Sequence, residues 1–144
     1  MAPLAIRLLL LEDNPGDRRL VQAKLSDAAA GRFAITQVER LNDAIARLDS
    51  EIFDVILSDL TLPDSDRLNT VHALVAHCPT MPLVVLTGSN DDSIGDHAIE
   101  HGAQDYLLKS DASGPLIARS LRYAIERKRL ELELRKANAT VAVM

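Results

Sequence analysis

Apolar and polar residues alternate along this chain in blocks. Five short apolar runs, at Ile6–Leu11, around Phe33, Ile35 and Val38, at Val55–Leu57, at Leu83–Leu86 and at Tyr106–Leu108, read as strands. Each is followed by a stretch with helical signals. Asn14 is placed to cap the first helix with Pro15 at its first position, and Leu20, Val21 and Leu25 continue at helical spacing to about Ala29, before Gly31. Leu41, Ala44, Ile45 and Leu48 fall at i, i+3, i+4 and i+7, with Asn42 or Asp43 near the start of that second helix. Leu68, Val71, His72 and Val75 mark a third, which ends near Cys78 because Pro79 disfavours helical backbone in the residue before it. Asp91 and Asp92 put negative charge at the start of a fourth, which Gly102 closes. Gly95 within it costs about 1 kcal/mol relative to Ala, so this helix is expected to be the loosest. A long fifth helix runs from about Pro115 into the 130s.

Five strand-then-helix units predict parallel strands joined by right-handed crossovers, an open doubly wound α/β sheet. Such sheets bind ligands beyond the carboxyl ends of their strands. The polar residues at those ends are Glu12 and Asp13 after the first strand, Asp59 after the third, Thr87 after the fourth and Lys109 after the fifth.

Composition narrows the picture. Residues are 47% hydrophobic but only 3% aromatic, which suits an aliphatic core between parallel strands and helices. Sixteen basic against 21 acidic residues give a net charge of -5, and the one local basic cluster, Arg127 to Arg129, is interleaved with Glu126, Glu131 and Glu133. No nucleic-acid face is expected. Cys78 is the sole cysteine, which excludes an intrachain disulfide and fits a reducing compartment. The first residues lack a secretory pattern and Leu8–Leu11 is too short to span a bilayer, so a soluble, cytoplasmic chain with no membrane partner is expected.

Carboxylates gathered at one edge repel, and a bound cation relieves them. A small hard cation such as Mg²⁺ prefers oxygen donors and needs only one or two carboxylates with a backbone carbonyl. An aspartate is also a nucleophile toward phosphorus, and an ammonium opposite it neutralises phosphoryl oxygens.

Four fragments carry a resemblance: Leu10-Leu11-Glu12-Asp13-Asn14-Pro15-Gly16-Asp17, Asp59-Leu60-Thr61-Leu62-Pro63-Asp64, Leu86-Thr87-Gly88, and Gly102-Ala103-Gln104-Asp105-Tyr106-Leu107-Leu108-Lys109. With them, roughly residues 5 to 125 resemble a response-regulator receiver domain, the phosphoacceptor of two-component signalling. The resemblance implies a flavodoxin-like sheet of order 2-1-3-4-5 with five helices. It implies that Asp59 takes a phosphoryl group from a phosphohistidine on a sensor histidine kinase or histidine phosphotransfer domain. Asp13 and Asp59 would ligate Mg²⁺ with the carbonyl of Thr61, Glu12 acting through a water. Lys109 would pair with Asp59 at rest and with the phosphoryl group afterwards. Thr87 would then move to the phosphoryl group and Tyr106 would turn inward, altering the surface of the fourth helix, fifth strand and fifth helix. Thr61 and Ser89 are candidates for tuning the phosphoryl lifetime. Two positions depart from the family pattern: Ser110 stands where a proline with a cis bond is common, and Arg67 where many relatives carry Gly.

Other readings stay open at this point. A degenerate receiver would serve as an interaction module independent of phosphorylation, although none of the expected chemical groups is missing. A phosphohydrolase of the haloacid dehalogenase type wants a second acid two residues after its nucleophile, where this chain has Thr61. His97 and His101 have zinc-compatible spacing but no third ligand nearby in sequence. Within the segment 126–144, Leu130, Leu134, Ala137 and Val141 follow a 4-3-4 spacing, a hint of a dimerising coiled coil or of a linker to a downstream output domain.

Overall fold

The computed structural model describes residues 5–65, 67–88 and 92–143. The strands are β1 (Ile6–Leu11), β2 (Phe33–Val38), β3 (Val55–Asp59), β4 (Leu83–Thr87) and β5 (Asp105–Leu108). The helices are α1 (Pro15–Ala28), α2 (Leu41–Ser50), α3 (Arg67–His77), α4 (Asp92–Glu100) and α5 (Gly114–Val143). All strand pairs are parallel, in the order β2-β1-β3-β4-β5.

Because side chains alternate across a strand, each apolar run feeds two cores. Leu8, Leu10, Val55, Leu57, Val84 and Leu86 face α1 and α5, where Val21, Leu25, Ile117 and Leu121 meet them. Leu9, Leu11, Ile56, Leu83 and Val85 face the other way, onto Leu41 and Ala44 of α2, Val71 and Leu74 of α3, and Ala98 of α4. Truncating a fully buried Leu such as Leu10 or Leu57 to Ala costs about 2–5 kcal/mol.

The helix ends follow local chemistry. Asn14 Oδ1 accepts the Asp17 N–H at 3.0 Å and Pro15 starts α1, as its sequence predicts. Gly102 (φ 118°) ends α4, with the Gly102 N–H on the Ile99 carbonyl and the Ala103 N–H on that of Ala98. One sequence expectation changes: His72 is exposed, and the buried face of α3 is Thr70, Val71 and Leu74. Asn42 and Asp43 stand near the start of α2, as expected; Arg40 is at its N-cap with no side-chain bond, and Asp64 reaches across. Its two oxygens accept the Leu41 and Asn42 N–H groups at 2.7 and 2.9 Å.

Asp64 is nearly solvent-exposed, and its small desolvation is outweighed by those two N–H groups, which hold its carboxyl below the usual 3.8. A depressed pKa contributes stability above the unfolded value, lost as pH falls through the folded one. Asp64→Asn, which keeps one acceptor oxygen where two now serve, is therefore expected to cost about 1 kcal/mol at pH 7. The difference from wild type should shrink below pH 3.8 in denaturant titrations. A gap that persists there would show that the carboxylate's charge is not what caps α2.

Candidate functional site

Strand register brings the polar residues together. Leu11 of β1 stands level with Ser58 of β3, so Glu12 and Asp59, one residue on, leave the sheet side by side. Asp59 is level with Leu86, and Thr87 with Leu108, so Thr87 and Lys109 follow at the same edge. The bend after Asp59 is closed mainly by other residues. Leu62 and Ser65 exchange backbone hydrogen bonds around Pro63-Asp64, and buried Thr70 donates to the Leu60 carbonyl at 3.1 Å.

Glu12, Asp13 and Asp59 each present an oxygen within 4.8 Å of the others. Glu12 is 1% exposed, Asp13 is open to solvent and Asp59 lies between. Lys109 Nζ donates to Asp59 Oδ2 at 3.0 Å and to Asp17 Oδ2 at 2.8 Å. It also stands 2.9 Å from Glu12 Oε2, close enough to pair by charge but off the line of a hydrogen bond. That buried oxygen has no hydrogen-bond partner, whereas Oε1 accepts the Asn14 N–H at 3.1 Å. The Thr61 N–H leans on Asp59 Oδ1 at 3.4 Å.

The charges follow. Burial, more than anything else, pushes the Glu12 carboxyl above its usual value; the adjacent Lys109 ammonium opposes this and the Asp59 charge adds to it. Burial alone would lower the Lys109 ammonium, but Asp17, Glu12 and Asp59 together drive it well above the usual 10.5. Three carboxylates, Glu12, Asp17 and Asp59, thus share one ammonium, and Asp13 stands beside two of them. That is a donor set suited to a hard divalent cation.

Asp17 is the residue that sequence reasoning missed. In the first turn of α1 an acid reads as a partner for the helix dipole, and nothing local points it at a lysine 92 positions away. The other expected residues divide as follows. Thr87 is buried, and its carbonyl accepts the Lys109 N–H at 2.8 Å. Tyr106 is half-buried against α4, where Gly95 leaves room for its ring: a Cβ at 95 would collide with it. Gly95, read from sequence as a weakness, is the slot for Tyr106. Ser89 and Asp91 lie outside the described residues. No cis peptide occurs among the described residues, so the loop at Ser110 turns without one, closed by the Asp111 N–H on the Leu108 carbonyl at 3.1 Å. His101 Nδ1 contacts the His97 carbonyl at 2.9 Å, and this pair joins no metal-ligating group of three among the described residues.

A cavity of about 340 Å³ opens over the site, bordered by Asp59, Thr61, Arg67, Thr87 and Lys109. A larger hollow, about 660 Å³, lies at the opposite edge beside Ile6, Arg7 and Asp54. There the Asp54 carboxyl, despite burial, is held below its usual range by hydrogen bonds from Arg7, so charge is already balanced.

Residues 8–121 match the family model of the response regulator receiver domain. The chain is 29% identical over 128 residues to the C4-dicarboxylate transport transcriptional regulatory protein DctD of Rhizobium meliloti, covering 89% of this chain and 27% of that protein. It is 33% identical over 114 residues to the swarming motility regulation protein RssB of Serratia marcescens, covering 79% and 51%. It thus spans about a quarter and a half of these relatives. Among solved structures, the signal receiver domain of an HD domain-containing protein from Pseudomonas fluorescens superposes with a TM-score of 0.77 at 22% identity, covering 92% of this chain and 96% of that one. With three carboxylates around a lysine, and a fourth beside them, at the carboxyl edge of a 2-1-3-4-5 sheet, and a family match over most of its length, the chain belongs to the response-regulator receiver domains of two-component signalling.

Proposed function

We propose that the chain is a phosphoacceptor whose Asp59 takes a phosphoryl group from a phosphohistidine on a sensor histidine kinase or histidine phosphotransfer domain. The observation that carries this is the ammonium of Lys109, held between Asp59, Asp17 and Glu12 beside the open cavity. An Asp59 oxygen attacks phosphorus as the P–N bond breaks, and the bonding electron pair stays on the imidazole nitrogen. Lys109 exchanges Asp59 for a phosphoryl oxygen. Asp13, Asp59 and the Thr61 carbonyl would hold Mg²⁺, with Glu12 acting through a water. The ion when bound offsets negative charge on the phosphoryl oxygens. The product is a signalling state, and no turnover of a separate substrate is proposed.

Phosphorylation adds about -1.5 to -2 charges at this edge. Thr87 then turns to the phosphoryl group, and Tyr106, packed on Gly95, passes the change to α4 and the α4-β5-α5 surface. Thr61 and Ser89 tune the lifetime. The test is incubation with acetyl phosphate, read by intact mass. One phosphoryl group should appear with Mg²⁺ and vanish with a chelator; incorporation indifferent to chelation would contradict the metal role.

Residues 1–125 are proposed as the receiver unit and 126–144 as an extension of its last helix. Leu130 and Leu134 are 51% and 62% exposed one turn apart on α5, which supports pairing of two copies through that extension. Sedimentation should show a concentration-dependent dimer that Leu130→Glu abolishes; a monomer at every concentration, with and without a phosphoryl mimic, would end this reading. An output domain beyond the chain is the alternative use of the same helix. No described helix is long and apolar enough to cross a membrane. The acidic balance supports a cytoplasmic module without nucleic-acid contacts of its own.

A further inference from the structure

The cavity over Asp59 is bordered by a second cation. Arg67, the first residue of α3, lines it together with Asp59, Thr61, Thr87 and Lys109. Its φ of 48° makes it the one non-glycine residue with left-handed backbone among those described. A glycine would adopt that conformation freely, while an L residue is strained in it. The Arg67 side chain is exposed and forms no ion pair with a described carboxylate. The contacts of α3 with the core come from Leu68, Thr70, Val71, Ala73, Leu74 and Val75, so packing does not call for a long cation at its start.

The demand for positive charge is on the other side of the ledger. Lys109 is already shared among Glu12, Asp17 and Asp59. A phosphoryl group brings roughly two further negative charges to the same cavity. One ammonium makes point contacts, whereas a guanidinium offers a planar fork matching two phosphoryl oxygens. We propose that Arg67 is a second phosphoryl-binding cation. Its guanidinium takes oxygens of the Asp59 phosphoryl group from the α3 side while Lys109 takes one from the β5 side. This rests on Asp59 being the phosphoacceptor. It ties the first turn of α3 to the phosphorylated state, which Lys109 cannot do from β5.

The test measures affinity for beryllofluoride with Mg²⁺ by fluorine NMR in the wild type, Arg67→Gln, Arg67→Gly and Arg67→Lys. Gln removes the charge and keeps the backbone strain, Gly removes both, and Lys keeps the charge. Gln and Gly should each weaken binding about tenfold, with Lys between them and the wild type. Arg67→Gly should melt no lower than wild type, which separates lost binding from lost folding. Wild-type affinity in Arg67→Gln would overturn the proposal, since that variant has neither the charge nor the guanidinium fork. No binding by the wild type itself would overturn the phosphoacceptor reading, and this proposal with it.

Discussion

Asp59→Asn is expected to abolish phosphoryl incorporation from acetyl phosphate, leaving the intact mass unchanged under conditions that label the wild type completely. Asparagine keeps the size and the strand-end position, but its amide is no nucleophile toward phosphorus. The fold should survive. Lys109 keeps Asp17 at 2.8 Å and Glu12 at 2.9 Å, and removing Asp59 also removes its repulsion of Glu12 and Asp13. These opposing effects hold the stability change within about 1 kcal/mol. A second readout follows: Mg²⁺ should raise the melting temperature of the wild type, because a ligand bound only by the native state stabilises it, and raise that of the variant much less. An unchanged phosphoryl adduct in Asp59→Asn would show that another residue is the acceptor.

Lys109→Met should have the next largest effect, on both stability and chemistry. The methionine stem fills the lysine's apolar path, but Glu12, 1% exposed, and Asp17 and Asp59 beside it lose their shared cation. Removing one partner from a largely buried charge cluster costs about 3 kcal/mol. Mg²⁺ should restore more stability to this variant than to the wild type, since it supplies the missing positive charge. Phosphorylation should slow about a hundredfold, the scale of losing one charge aimed at the reacting oxygens. The alkaline limb gives a check on sign. Burial works against the Lys109 charge, but its three carboxylates win and raise its pKa above 10.5. Its contribution is therefore fully present below pH 10.5 and is lost as pH rises through the folded value. The stability gap between wild type and Lys109→Met should narrow as pH rises past 10.5, and also on the acid side, where the buried Glu12 becomes protonated and no longer needs the cation. A gap unchanged at alkaline pH would mean that the lysine is not held as described.

The sheet and the chemical groups at its edge were legible because both are written locally. Apolar runs of strand length fix which residues are buried, and register then delivers Glu12, Asp59, Thr87 and Lys109 to one place. What was not legible depends on contacts between distant segments. Asp64 reads as a turn residue beside Pro63 but caps α2 from 23 positions away. Asp17 reads as a helix-start acid but shares Lys109. Gly95 reads as a helix weakener, and only the partner strand reveals that the missing side chain admits Tyr106. His72 satisfies the helical period yet faces water, because a period does not say which of two adjacent stripes meets the sheet. Arg67 stands where the resemblance leads one to expect Gly, and its φ of 48° is a conformation that glycine adopts more readily.

The most direct test of Asp59 as acceptor is to locate the phosphoryl group chemically. The protein is labelled with acetyl phosphate and Mg²⁺, reduced with borohydride to convert an aspartyl phosphate to homoserine, digested and sequenced by tandem mass spectrometry. Homoserine at position 59 alone is the expected result. Reduction at Glu12, Asp13 or Asp17, or at no carboxylate of this edge, would contradict the account.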